Sequence, residues 1–306
     1  MKKMLQYALA TALMLSFPTA TAQEKTVVTS FYPVYILTRN LTAGIDGLQV
    51  VNLAAPDTGC LHDYQLLTGD MRTLAKANAL LINGAGMESY LNTVAAQFPD
   101  LQVVDASQGI ALLDSEGENE HAHEEGEDAH GHEDNAHIWL DALNAKKMVE
   151  NLSAGLQNAF PEYKDALMQN EAAYIQRLDS LDLELKLGLA DLAQKEIITF
   201  HEAFPYFAKA YGLHVAAVVL REPGEALSPA QLAELTKLVR DLGAPPLFTE
   251  PQYPDLAART LAAETGAKVY ELDPLVTGPL DDSALTAYED GMRKNMQVLQ
   301  QALGDK

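Results

Sequence analysis

Glu196-Ile-Ile-Thr-Phe-His-Glu-Ala-Phe-Pro-Tyr-Phe-Ala-Lys-Ala-Tyr211 (EIITFHEAFPYFAKAY) changes its structural grammar at one histidine. Glu196–Phe200 is short and rich in β-branched and aromatic residues, and reads as a strand. Ala203–Tyr211 reads as the helix that follows it. His201 lies between the two, at the carboxyl end of the strand. In open α/β sheets that end is where ligands bind.

The same strand-then-helix unit recurs on both sides. Upstream, Thr26–Thr29, Leu48–Leu53, Ala79–Asn83 and Leu101–Val104 read as strands. The helices between them are Val34–Leu41, a stretch around Thr68–Ala77, and Glu88–Phe98. Downstream come strand Val215–Leu220, helix Pro229–Leu242, strand Leu247–Thr249, helix Asp255–Thr265, strand Lys268–Leu272 and helix Ser283–Leu303. Between the two series lie helix Leu140–Phe160, ending at Pro161, and a long polar helix over about Glu162–Ala193. That helix keeps one apolar stripe, Leu167, Tyr174, Leu178 and Leu181, which suits a strut between lobes. The fold class expected is α/β: two lobes, each a mostly parallel sheet flanked by helices, joined by one long linker helix. The boundaries expected are 23–160 for the first lobe, 161–193 for the linker and 194–306 for the second lobe.

Met1–Ala22 stands outside this scheme. Lys2 and Lys3, the apolar run Met4–Phe17 and Ala20-Thr21-Ala22 have the form of a secretory signal cleaved after Ala22. No cysteine is placed there for lipid attachment, so a soluble periplasmic chain, without membrane insertion and monomeric, is expected. Cys60 is the only cysteine of the 306 residues, which excludes an internal disulfide. The formal charge of −22 becomes −24 once Lys2 and Lys3 are removed. Ten acids and no Lys or Arg lie in residues 114–136. This balance argues against nucleic acid and anionic membranes, and for cations as partners.

Five of the eight histidines fall between His121 and His137, yet placement on the strand rims divides them. His62 follows strand Leu48–Leu53 in Gly59-Cys-Leu-His-Asp-Tyr64, and His137 opens the ordered sequence after the acidic insert. Asp273 follows strand Lys268–Leu272. With His201, four potential ligands share one rim, two from each lobe. Three imidazoles and a carboxylate suit zinc, which accepts nitrogen and oxygen in a tetrahedral shell.

Several stretches together resemble the metal-capturing solute-binding proteins of bacterial ABC importers, the ZnuA/TroA type. They are His62-Asp-Tyr with the helix running into Ala79-Leu-Leu-Ile-Asn-Gly84, Ala136-His-Ile-Trp-Leu-Asp141, Thr199-Phe-His-Glu-Ala-Phe-Pro-Tyr-Phe207, Phe248-Thr-Glu-Pro-Gln252 and Leu272-Asp-Pro-Leu275. The resemblance covers essentially the whole mature chain. It implies two lobes bridged by a rigid helix, a metal in the cleft between them, and delivery of that metal to an ABC permease. It also implies His62, His137 and His201 as ligands, with Asp273 as the fourth in some members. Histidine at 201, where manganese-type members tend to carry glutamate, favours Zn2+. So does the acidic histidine loop. Leu61, Ala136 and Glu202 depart from the family pattern.

His121, His123, His130 and His132 belong to an insert with no apolar residue larger than alanine, which cannot pack a core. We expect 114–136 to be disordered, with these histidines in an auxiliary role, holding zinc weakly near the cleft. Cys60 is read as a buried loop residue rather than a ligand. His214 is read as structural, Trp139 and Tyr64 as packing walls, and Glu250, Asp141 and Glu202 as acceptors that orient ligand imidazoles. The alternatives are a manganese- or iron-binding protein of the same kind and, from another class, a zinc hydrolase with Glu202 as base. Against the hydrolase, H-E-x-x-H and G-x-S-x-G are absent.

Overall fold

The computed structural model describes residues 24–61, 64–115, 134–219 and 227–304. The expected signal Met1–Ala22 and most of the acidic insert lie outside them. The first sheet is built from β1 (Lys25–Thr29), β2 (Leu48–Asn52), β3 (Ala79–Ile82) and β4 (Gln102–Asp105), ordered β2-β1-β3-β4. The second is built from β5 (Glu196–Thr199), β6 (His214–Val218), β7 (Leu247–Thr249) and β8 (Val269–Glu271), ordered β6-β5-β7-β8. Every pairing in both sheets is parallel. The two orders are the same pattern, so each sheet reverses direction once, between β1 and β3 and again between β5 and β7. These are the topological switch points at which crevices open.

Parallel strands need cover on both faces, and all four residues of β3 are buried. Helix α1 (Tyr32–Thr42) supplies cover and is itself engulfed, with ten of its eleven residues buried. Pro33 stands in its first turn, where the missing N–H costs nothing. Helices α2 (Thr68–Leu74) and α3 (Leu91–Gln97) complete the first series. Helix α4 (Ala142–Ala159) begins at Asp141, whose carboxylate accepts from the Leu143 N–H at 2.8 Å. Asp141 is therefore a helix cap.

Helix α5 (Lys164–Leu189) is the long linker, about 39 Å at 1.5 Å per residue. Leu167, Tyr174, Leu178 and Leu181 are buried on it, joined by Leu185 and Leu189. The stripe is part of the main core, not only the flank of a strut. That core runs without a break from Val28 and Leu81 through Trp139 and Leu178 to Phe204, Met292 and Leu299. A smaller cluster of Ile198, Val239, Leu247 and Leu261 fills the other face of the second sheet. Helices α6 (Pro205–Tyr211), α7 (Pro229–Asp241), α8 (Leu256–Thr265) and α9 (Ala284–Leu303) complete the second lobe.

Directed bonds lock the lobes together. Arg177 of α5 donates from Nε to Glu289 Oε1 of α9 at 2.7 Å and from a terminal nitrogen to Asn40 Oδ1 of α1 at 2.9 Å. Trp139, fully buried, donates from Nε1 to the Pro274 carbonyl at 2.7 Å, and Tyr288 donates to the Trp139 carbonyl at 2.7 Å. Large aromatic side chains give both apolar burial and a polar tip that must find a partner. Here the partners lie in the opposite lobe. Among the described residues no helix is long and apolar enough to cross a membrane.

Candidate metal centre

The chain needs both switch points to build its site. His201 follows β5 and Glu250 follows β7, so both stand at the second crevice. His201 is 3% exposed, and its Nδ1 lies 3.0 Å from Glu250 Oε1. A carboxylate only accepts, so Nδ1 carries the proton and Nε2 is left as the donor atom for a metal. Glu250 is held in turn by Gln252 Nε2, which donates to Oε2 at 2.9 Å. Tyr253 packs edge-on against the His201 ring at 6.2 Å.

His137 is fixed by a different device. Asn135 Oδ1 accepts from the His137 backbone N–H at 2.9 Å and faces its Nδ1 at 3.1 Å. This is an Asx turn whose acceptor also sets the tautomer. Asn135 Nδ2 donates to the Glu202 carbonyl at 2.8 Å, so one amide bears on both histidine segments. Asn83, at the end of β3, donates to the Ala136 carbonyl at 2.9 Å. Behind it, the buried Glu88 carboxylate accepts from the N–H groups of Asn83 at 2.7 Å and Gly84 at 3.1 Å. Burial pushes the Glu88 pKa up to about 7, although those N–H groups pull against the rise.

The rings of His137 and His201 meet edge to face with centroids 4.9 Å apart. The third member is Cys60. Its Sγ is 3.5 Å from His137 Nε2, and one donor atom from each of Cys60, His137 and His201 lies within 4.8 Å of the others. Gly59 makes that approach possible: at φ +82° it turns the chain, and a Cβ there would stand 3.1 Å from the Tyr253 hydroxyl. Gly59 and Cys60 thus approach the second lobe with no Cβ of residue 59 against Tyr253.

His137 and His201, from different lobes, are brought together as expected. His62 lies outside the described residues, as do His121, His123, His130 and His132. Asp273 stands on the rim, but its carboxylate is not part of the 4.8 Å group. Its Oδ1 accepts from the Leu275 N–H at 2.8 Å, and burial raises its pKa. Of the expected orienting acceptors, Glu250 serves His201 and Asp141 caps α4. Glu202 contributes its backbone carbonyl to Asn135. Tyr64 donates to Asp70 at 2.8 Å, in the first turn of α2. His214 is exposed and faces Glu196 at 3.0 Å. Asn135 was missed, although an Asn whose side chain can accept the N–H two residues on is the signature of an Asx turn.

The chain matches the sequence model of the family described as zinc-uptake complex component A, periplasmic (ZnuA), over residues 27–302. It belongs to the ZnuA family. A relative of similar length is the high-affinity zinc uptake system protein ZnuA of Bacillus subtilis (strain 168), 32% identical over 284 residues, covering 90% of this chain and 87% of the relative. The zinc-binding lipoprotein AdcA of Streptococcus pneumoniae (strain ATCC BAA-255 / R6) is 30% identical over 278 residues. That match covers 90% of this chain but 55% of AdcA, so the chain spans about half the length of the AdcA relatives. A crystal structure of a ZnuA superposes with a TM-score of 0.78 at 25% identity, over 92% of this chain and all of that one. Zn(II)-bound AdcA from Streptococcus pneumoniae superposes at 0.76 with 28% identity, over 92% of this chain and 58% of that one. The two α/β lobes read from strand and helix alternation, and the ZnuA-type fold that the resemblance implied, are the fold found.

Proposed function

We propose that this protein captures zinc outside the cytoplasm and delivers it to the permease of an ABC importer. The observation that carries the reading is the meeting of His137 and His201. Two buried imidazoles from separate lobes present donors within 4.8 Å, each held through Nδ1 by an oxygen acceptor. Metal ligands oriented by such acceptors are the usual architecture of a tight site. The zinc named for the ZnuA and AdcA relatives agrees with this donor set. His62 as a third imidazole and Asp273 as a rim carboxylate belong to the proposal on the strength of the sequence, and each is tested by its own alanine variant. The division into lobes 23–160 and 194–306 about a linker, cleavage after Ala22, a periplasmic location and a monomeric state are likewise part of the reading.

A binding role suits the site better than catalysis, because ligands from two lobes enclose an ion rather than present it to a substrate. Titration of the metal-free mature protein with zinc should give one tight equivalent per chain. His201→Ala should abolish it, and manganese should compete poorly. Stoichiometric tight binding by His201→Ala would sink the proposal.

A further inference from the structure

The cysteine set aside on sequence grounds lies among the donors. We infer that Cys60 is a sulfur ligand of the captured ion, beside His137 and His201, and that it biases the site towards thiophilic cations. The inference rests on the capture reading above and names one more ligand of that site.

The geometry is specific. Tetrahedral zinc, with zinc–sulfur near 2.3 Å and zinc–nitrogen near 2.0–2.1 Å, requires a sulfur and a nitrogen ligand to stand about 3.6 Å apart. Cys60 Sγ and His137 Nε2 stand 3.5 Å apart. The approach is built in rather than incidental. The His137 Nδ1–H is committed to Asn135, which turns Nε2 towards the sulfur. Gly59 removes the side chain that would hold the Cys60 loop off Tyr253. His201 completes a group of three donors drawn from both lobes. One oxygen of Asp273, Oδ1, is taken up by the Leu275 N–H.

Charge points the same way. Two imidazoles bring none, whereas a thiolate together with the Glu250 carboxylate behind His201 balances a divalent cation. On binding, the S–H proton leaves to solvent as the sulfur–metal bond forms. Softness then sorts the cations: thiolate favours zinc, cadmium and copper(I) and disfavours manganese. The ligand set thereby acts as a filter as well as a holder.

Cobalt(II) reports sulfur ligation directly, through an intense near-ultraviolet sulfur-to-cobalt charge-transfer band. Titrating the metal-free mature protein with Co2+ should produce that band, saturating at one equivalent. Cys60→Ser should still bind one cobalt without it, and its preference for zinc over manganese should fall at least about tenfold, or about 1.4 kcal/mol. One equivalent of cobalt bound by wild type without the band overturns the sulfur ligand and leaves zinc capture standing. Failure to bind any single equivalent overturns the capture reading and this inference with it. Should Cys60→Ser not fold, X-ray absorption of the zinc-loaded wild type decides alone. A sulfur scatterer in the first shell supports the inference, and a shell of only nitrogen and oxygen refutes it.

Discussion

Glu250→Gln isolates what the carboxylate behind His201 contributes. Glu250 is 4% exposed; one oxygen faces His201 Nδ1 at 3.0 Å and the other accepts from Gln252 at 2.9 Å. Glutamine fits the same space and keeps an acceptor for the imidazole. Its new NH2 meets the NH2 of Gln252, but Gln252 Oε1 is buried without a partner among the described residues. Rotation of the Gln252 amide by half a turn therefore satisfies both. The geometry survives and only the charge goes. Removing a partner of a metal-ligating histidine costs about 10–100-fold in affinity. Glu250→Gln should fall near the lower bound, about 1.4 kcal/mol, and Glu250→Ala near the upper, about 2.7 kcal/mol, because alanine also leaves two buried donors unmatched. Competition for zinc against a chromogenic chelator at fixed pH measures both, with thermal melts of the metal-free proteins as control. If both variants bind as wild type does, the carboxylate does not support the ligand. If glutamine is as damaging as alanine, the amide exchange with Gln252 does not occur.

Asn135→Ala should weaken zinc binding by about tenfold or more, because it releases the His137 tautomer and the tie to the Glu202 carbonyl together; the chelator assay reads this directly. Trp139→Phe should cost about 2–4 kcal/mol in urea unfolding, from the unpaired Pro274 carbonyl and the space left by the indole. Glu88 should make stability depend on pH. Its folded pKa of about 7 lies above the ordinary 4.5, so the fold prefers the protonated form. The stabilisation is complete below about pH 4.5, declines as pH rises, and is lost above about pH 7, a span of about 3 kcal/mol. Glu88→Gln should remove that slope from unfolding curves taken across the range. Replacing 116–133 by a two-residue turn should preserve one tight zinc per chain. The flanks already pair, with Asn135 N–H donating to the Leu113 carbonyl at 2.7 Å beside the Asp114–Asp134 bridge. Removal of all of 114–136 would take Asn135 as well, so its effect would not report on the insert alone.

Every strand among the described residues was visible in the sequence within a residue or two, because short β-branched runs alternating with longer helices admit few architectures. The errors have local causes. The helix expected over Glu88–Phe98 begins at Leu91, since Glu88 is drawn inward to accept the N–H groups that follow β3. The strand expected at Val215–Leu220 runs His214–Val218, beside an irregularity at Ile197/Ile198 that shifts its register. At the site, rim position was enough to bring His137 and His201 together. Side-chain direction was not readable. Asp273 occupies the expected rim with Oδ1 accepting from the Leu275 N–H, whereas Cys60 reaches His137 through a glycine turn whose consequence appears only when Tyr253 is placed beside it. Alternation reports which residues reach a crevice, while loop dihedrals decide which atoms face its centre.

A continuous core through both lobes and α5 bears on kinetics. Domains that flex about a slender hinge let go of a ligand by swinging apart, so residence time becomes a property of the joint. Here, parting the lobes would expose Trp139, Tyr288 and the α5 stripe to water, at about 1.5–3 kcal/mol for each large side chain uncovered. On the capture reading, escape of the ion then proceeds by exchanging its bonds one at a time, and whatever receives it has to supply replacement donors before the old ones are surrendered.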